Sequence, residues 1–196
     1  MGQFPGETVR EKEEKSMLYY AAEWQSPVGR LTLASDGEHL TGVWMEGQKY
    51  FGGAIAGQFC PREDLPVFDR TREWLERYFA GEQPRPEELP LAPVGGEFRQ
   101  RVWKLLCEIP YGQVTTYGAL ARRLAEELGR ESMSAQAVGG AVGHNPISII
   151  VPCHRVVGAN GSLTGYAGGV AVKRQLLEHE GADLTRLWVP TRGTAL

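Results

Sequence analysis

Cysteine is scarce in this chain: Cys60, Cys107 and Cys153 are its only thiols. Three scattered thiols form no disulfide framework. With no Cys-x-x-Cys pair and no ligand at useful spacing from His39, the N-terminal half has no four-ligand set for structural zinc. Long apolar runs are also missing, so no segment reads as a bilayer span. The charged stretch Arg10-Glu11-Lys12-Glu13-Glu14-Lys15 stands where a secretory leader would need an apolar core. These absences point to a protein of the reducing cytoplasm, with no membrane partner, in which a free thiol stays reactive. Residues 1–16 read as a solvated, disordered tail.

Charge of one sign is not abundant either. The net charge of −3 hides an asymmetry. Residues 1–92 carry 10 Lys/Arg against 16 Asp/Glu, a balance of −6, and residues 93–196 carry 11 against 8, a balance of +3. A mildly basic C-terminal half is compatible with a polyanionic partner and does not by itself require one.

Between the halves, Gly81, Pro84, Pro86, Pro90, Pro93, Gly95 and Gly96 crowd one short stretch. Prolines at that density oppose both helix and sheet ladder, so the stretch reads as a linker. It divides a domain over 17–92 from one over 93–182, with an extension over 183–196. In the first, Leu18 to Trp24, Arg30 to Ala34 and Leu40 to Met45 read as strands. Asp36-Gly37 lies between two of them and is a hairpin signal. Pro66 then opens a helix whose apolar stripe is Val67, Phe68, Thr71, Trp74, Leu75, Tyr78 and Phe79, ended by Ala80-Gly81. The expected unit is an α/β domain with a hairpin-rich sheet and one packing helix.

The second domain reads as mostly α. Phe98, Val102, Leu105 and Leu106 mark one helix. Thr115 or Thr116 can cap a second, striped by Leu120, Ala121, Leu124, Ala125 and Leu128 and stopped at Gly129. A third is expected over Ser132 to Gly143, ended by Asn145-Pro146. Its adjacent Gly139 and Gly140 cost a helix about 1 kcal/mol each relative to alanine. Something must favour small residues there, either a neighbouring helix or a ligand. The outline is that of a helix-turn-helix.

Ile149-Ile150-Val151-Pro152-Cys153-His154-Arg155-Val156 carries the chemistry. A strand-like run delivers a nucleophile with a possible base beside it. In a regular strand adjacent side chains point to opposite faces. Contact between Cys153 and His154 would therefore need a turn here, or a bridging water.

Asn145-Pro146, Pro152-Cys153-His154-Arg155-Val156, Gly165-Tyr166-Ala167-Gly168-Gly169 and His179-Glu180-Gly181 together resemble, in order and interval, the active-site series of the O6-alkylguanine-DNA alkyltransferases. The resemblance covers about residues 93–182 strongly, and the first domain is similar to the family's ribonuclease-H-like partner domain in size and pattern. It implies direct repair: one displacement moves a methyl or alkyl group from guanine O6 to the Cys153 sulfur, once per molecule and with no cofactor or metal. The attacking atom must be a thiolate. His154 is then the base, acting through water, and Glu180 orients it. Tyr117 donates to the guanine ring as negative charge develops there, and Asn145 fixes the turn beneath the nucleophile. Pro146, Val156, Tyr166, Ala167 and Gly168 are implied substrate contacts, Val156 through its carbonyl.

The resemblance also implies double-stranded DNA carrying O6-alkylguanine as partner, bound by a monomer, with the damaged base flipped out. The small-residue helix would enter the minor groove, which is roughly 6 Å wide. Thr116, Ser134, Ala135, Gln136, Ala137, Gly139, Gly140 and Arg155 are the implied DNA contacts. Two departures stand out. Gln136 occupies the place of an arginine in many relatives, and Ala167 that of a serine in some. Two other readings use the same residues: a non-catalytic sensor of alkylated DNA, against which Cys153 itself argues, and a Cys153–His154 hydrolase, which would need an oxyanion site.

Overall fold

The structure is a computed structural model and describes residues 18–190. The expected disordered tail over 1–16 and the last residues of the C-terminal extension lie outside the described residues.

Strand β1 (Tyr19–Ser26) turns at Pro27-Val28 into β2 (Gly29–Ser35), which leads to β3 (Leu40–Met45). These three pair antiparallel, in register from Tyr20↔Ser35 to Ser26↔Gly29 and from Leu31↔Met45 to Ser35↔Leu40. Asp36-Gly37 does mark a hairpin connection. Asp36 Oδ1 accepts from the amides of Glu38 and His39, and Gly37 takes a φ of 110° that a Cβ would penalise. A short strand that the sequence did not signal, β4 (Phe59–Pro61), joins β1 in parallel, giving the order β3-β2-β1-β4. Three residues ending in proline carry too little alternation to be recognised.

Helix α1 (Pro66–Phe79) starts at the proline that suits a first turn and buries Val67, Phe68, Thr71, Trp74, Leu75 and Tyr78. The linker is not a free tether. Its prolines leave their carbonyls available, and the amide of Leu40 donates to Pro90 O at 2.8 Å while Ala92 returns a bond to Leu40 O at 2.9 Å. The linker thus runs along the β3 edge.

Three helices follow: α2 (Glu97–Cys107), α3 (Tyr117–Glu127) and α4 (Ala135–Gly143). Thr116 caps α3 through its side chain, and Ser134 caps α4 in the same way. So α4 begins three residues later than expected, and residues 128–134 make a longer connection than a tight helix-turn-helix turn. A two-residue parallel pair, β5 (Thr115–Thr116) with β6 (Val156–Val157), ties the start of α3 to the residues after Cys153. Helix α5 (Val170–His179) closes the domain.

The domains share one core. A single buried cluster runs from Leu31, Leu33, Val43 and Trp74 through Trp103, Leu105 and Leu124 to Ile150, Val151 and Leu176. The seam is built on β3. Val43 donates to Pro146 O at 2.8 Å and accepts from the amide of Ser148 at 2.9 Å, so residues 146–148 add to the edge of the sheet. The turn that precedes Cys153 is therefore held by the neighbouring domain.

Candidate active site

The strand expected to deliver Cys153 does not form. Residues 149–152 are a tight irregular turn, and Cys153–Arg155 is one turn of 3₁₀ helix. Ile149 sits at φ 71°, a left-handed conformation that costs a β-branched residue roughly 1–3 kcal/mol. Asn145 supplies the compensation. Its Nδ2 donates to Val151 O at 2.8 Å and Ile147 O at 3.3 Å, and its Oδ1 accepts from the amide of Ile147 at 3.0 Å. The same Nδ2 lies 3.1 Å from Cys153 Sγ. One amide thus fixes the turn and touches the nucleophile.

Cys153 is only 5 % exposed. Burial pushes its thiol up, against the pull of the Asn145 donor, the Lys173 charge and the amides of Cys153 and His154. The resting sulfur is therefore a protonated thiol, and the thiolate must form during the reaction. His154 is fully buried, and burial lowers its pKa, so it is neutral near pH 7. Its Nε2 lies 2.6 Å from Glu180 Oε1. Because that carboxylate only accepts, Nε2 carries the proton and Nδ1 keeps a lone pair. Nδ1 has no hydrogen-bond partner among the described residues.

Glu180 collects donors from both domains. Oε1 accepts from His154, from Tyr78 Oη at 2.8 Å and from Arg155 Nη2 at 3.0 Å. Oε2 accepts from Arg155 Nε at 2.8 Å and the amide of Gly112 at 3.1 Å. Burial alone would raise its pKa, but the bonds and charges of His154 and Arg155 hold it well below the usual carboxylate range. Gly112 must be glycine: its φ is 72°, and a Cβ would sit 2.7 Å from Glu180 O.

Arg155 requires a correction. Expected against DNA, it is buried, its fork is spent on Glu180, and Nη1 donates to Ile109 O at 2.6 Å. The 3₁₀ turn carries residue 155 inward with residues 153 and 154. Pro146 also lies elsewhere than expected. It is buried at the domain seam and lines a separate cavity with Tyr50, Phe51 and His144. Gly168 packs under the wall rather than in it, since a Cβ there would meet Met45 Sδ at 2.5 Å and the Tyr166 ring at 2.9 Å.

An opening of about 530 Å³ lies between α4 and the loop at 165–167. Gln136, Gly139, Gly140, Gly143 and His144 line one side, Gly165, Tyr166 and Ala167 another, and Lys49 and Tyr50 a third. Cys153 is not on that wall, and Tyr166 is itself buried and meets the His154 ring edge-on at 6.5 Å. Tyr117, at the start of α3, donates to Thr164 O at 3.2 Å. Gly165 lets it approach: a Cβ there would fall 2.5 Å from the Tyr117 hydroxyl. Ala135, Gln136, Ala137 and Gly140 are exposed on α4. Gly140 has open space in front of it, with no atom within 4 Å of the position a Cβ would take, so no internal contact explains the glycine. Val156 is buried, and its carbonyl already accepts from Lys173 Nζ at 2.5 Å.

Two residues of this site carried no functional signal that sequence reasoning used. Tyr78 looks like one more member of the α1 stripe. Lys173 is fully buried on α5, with Nζ also donating to Thr164 O at 2.9 Å, and burial lowers its pKa to about 8. Its position among buried Val170, Leu176 and Leu177 was a signal: a lysine on a core face needs a reason.

A ribonuclease-like sheet domain fused to a helical domain, with a buried cysteine beside a His–Glu–Arg cluster and an uncharged, small-residue helix at the opening, defines a class of two-domain DNA-repair protein. Residues 18–93 match the family model of the 6-O-methylguanine DNA methyltransferase ribonuclease-like domain, and residues 97–182 match that of the DNA binding domain of the same name. The chain belongs to the 6-O-methylguanine DNA methyltransferase family, whose members are enzymes of direct-reversal DNA repair. It is 45 % identical over 163 residues to a methylated-DNA–protein-cysteine methyltransferase of Haemophilus influenzae, covering 83 % of this chain and 86 % of the relative. A protein of the same name from Mycobacterium tuberculosis is 47 % identical over 174 residues, covering 86 % and 98 %. The crystal structure of the M. tuberculosis OGT in complex with DNA superposes with a TM-score of 0.69 at 43 % identity, covering 83 % of this chain and 92 % of that one.

Proposed function

We propose that this protein takes a methyl or other alkyl group from O6 of guanine in duplex DNA onto Cys153, once and irreversibly. The observation that carries the proposal is the hydrogen-bond geometry of the relay. His154 is neutral, fixed through Nε2–H to an ionised Glu180, and its Nδ1 lone pair is free one residue from the nucleophile. Water bridging Sγ to Nδ1 passes the thiol proton to the imidazole, and Glu180 stabilises the resulting cation. Sulfur attacks the alkyl carbon, the carbon–O6 bond breaks, and a thioether forms. The departing guanine carries negative charge until it gains one proton, which balances the proton lost by the thiol. Tyr117 turns its one hydroxyl proton from Thr164 O to the ring as that charge grows. No cofactor enters the balance.

The exposed small residues of α4 support minor-groove insertion, with Ala135, Ala137 and Gly140 permitting close approach and Gln136 filling the gap left by the flipped base. Thr116 and Ser134, whose side chains cap helices, present that surface rather than read bases. Val156 keeps a second carbonyl lone pair for the guanine amine, and Tyr166 and Ala167 wall the base. The protein acts as a monomer on cytoplasmic DNA in this proposal. The test is intact mass after incubation with a duplex carrying O6-methylguanine. One added methyl, mapped to Cys153, is the expected result. Tight binding without any adduct points instead to a damage sensor and overturns the proposal.

A further inference from the structure

Helix α4 presents no charged side chain at the opening. A duplex binder still has to neutralise phosphates. The first domain supplies a cation at the same place. The segment after β3 reaches across the seam, and Lys49 and Tyr50 line the opening together with Gln136, Gly139 and Gly140.

The segment is built to hold that position. The Lys49 amide donates to Ala167 O at 3.0 Å, fixing it to the pocket wall. Gln48 Oε1 accepts from the amide of Met45 at 3.0 Å and from Ser148 Oγ at 3.1 Å. Tyr50 is held at φ 61° and stacks on His144 with ring centroids 3.9 Å apart. His144 in turn caps α4, with Nδ1 2.7 Å from Gly140 O. The Lys49 ammonium stands over the Tyr50 ring at 5.2 Å, and Glu46, the only acid in residues 46–53, is already paired with Arg30.

We infer that this ribonuclease-like-domain turn is part of the DNA interface, with Lys49 contacting a backbone phosphate beside the everted nucleotide and Tyr50 and His144 forming the ledge that aims it. The inference rests on duplex DNA being the partner. It does not depend on methyl transfer.

The experiment measures undamaged-duplex affinity of the full chain across a salt series. Lys49→Gln weakens binding about three- to tenfold at low salt and reduces the log–log salt slope by about 0.9, the release expected for one lost phosphate contact. Lys49→Arg restores the slope. Arg62→Gln, which removes a charge from the same domain away from the opening, leaves the slope in place. Iodoacetamide alkylation of Cys153, which needs no DNA, proceeds at the same rate in Lys49→Gln. An unchanged slope in Lys49→Gln, or an equal drop in Arg62→Gln, overturns the inference. A wild-type protein that binds with the Lys49-dependent slope but takes no methyl group defeats the proposed chemistry alone.

Discussion

Lys173 shows how much one buried side chain contributes. Glu180 is the only buried carboxylate among the described residues, and Arg155 and His154 already occupy it. Lys173 has two carbonyl acceptors and no carboxylate. A buried cation without a counter-charge is costly. The charge of a Cys153 thiolate raises the Lys173 pKa, so the ammonium and the thiolate favour one another when the thiolate forms. Lys173→Met is expected to slow methyl transfer at least about tenfold, or roughly 1.4 kcal/mol of barrier. It should also displace the pH profile of Cys153 alkylation to higher pH. A slower reaction with an unmoved profile would assign Lys173 a purely structural role.

At the scale of elements, α4 separates folding from binding. Its helical glycines are unfavourable for the isolated fold. Gly140→Ala adds a methyl where nothing stands within 4 Å, so helix propensity is the only internal consequence. Thermal unfolding should shift upward, reflecting up to about 1 kcal/mol of added stability. Duplex binding should weaken, because in the proposed complex the methyl projects towards the groove. Gain in both properties would remove α4 from the groove. The contrast with Gly165 is instructive: there a Cβ collides with the Tyr117 hydroxyl and φ is 79°, so the glycine is required by the fold. Two glycines that look alike in sequence answer to different partners.

For the whole molecule, the shared core and the β3 seam predict one cooperative unfolding transition rather than one per domain. Calorimetry showing two separable transitions would contradict this. The relay also fixes an acid limit. His154 is held below its usual pKa and Glu180 well below its own. In each case the unfolded chain binds more protons than the native one as pH falls. Stability is therefore full above about pH 6.5, the ordinary histidine value, and declines through the unfolded histidine range and then the carboxylate range. The expected observation is a midpoint in urea that drops steadily between about pH 6.5 and pH 4, with the part of the fall around the ordinary glutamate value of about 4.3 lost in Glu180→Gln and the histidine part kept. A midpoint independent of pH over that window would contradict the proton assignment.

The sequence by itself determined the parts with local signatures. Hydrophobic period placed α1, α2 and α3, Pro66 placed the start of α1 and a threonine cap that of α3, proline and glycine density placed the linker, and the blocks around Cys153 and Glu180 named the chemistry. Only the tertiary structure decided which way those residues face. It replaced a strand with a 3₁₀ turn at Cys153, turned Arg155 inward, and brought Tyr78 to Glu180 across 102 residues of chain. It also added β4 and seated Pro146 at a domain seam. The physical reason is range. Periodicity and capping act within a few residues along the backbone. Ion pairs, buried hydrogen bonds and edge pairing depend on where distant segments meet, and that is set by packing the whole core.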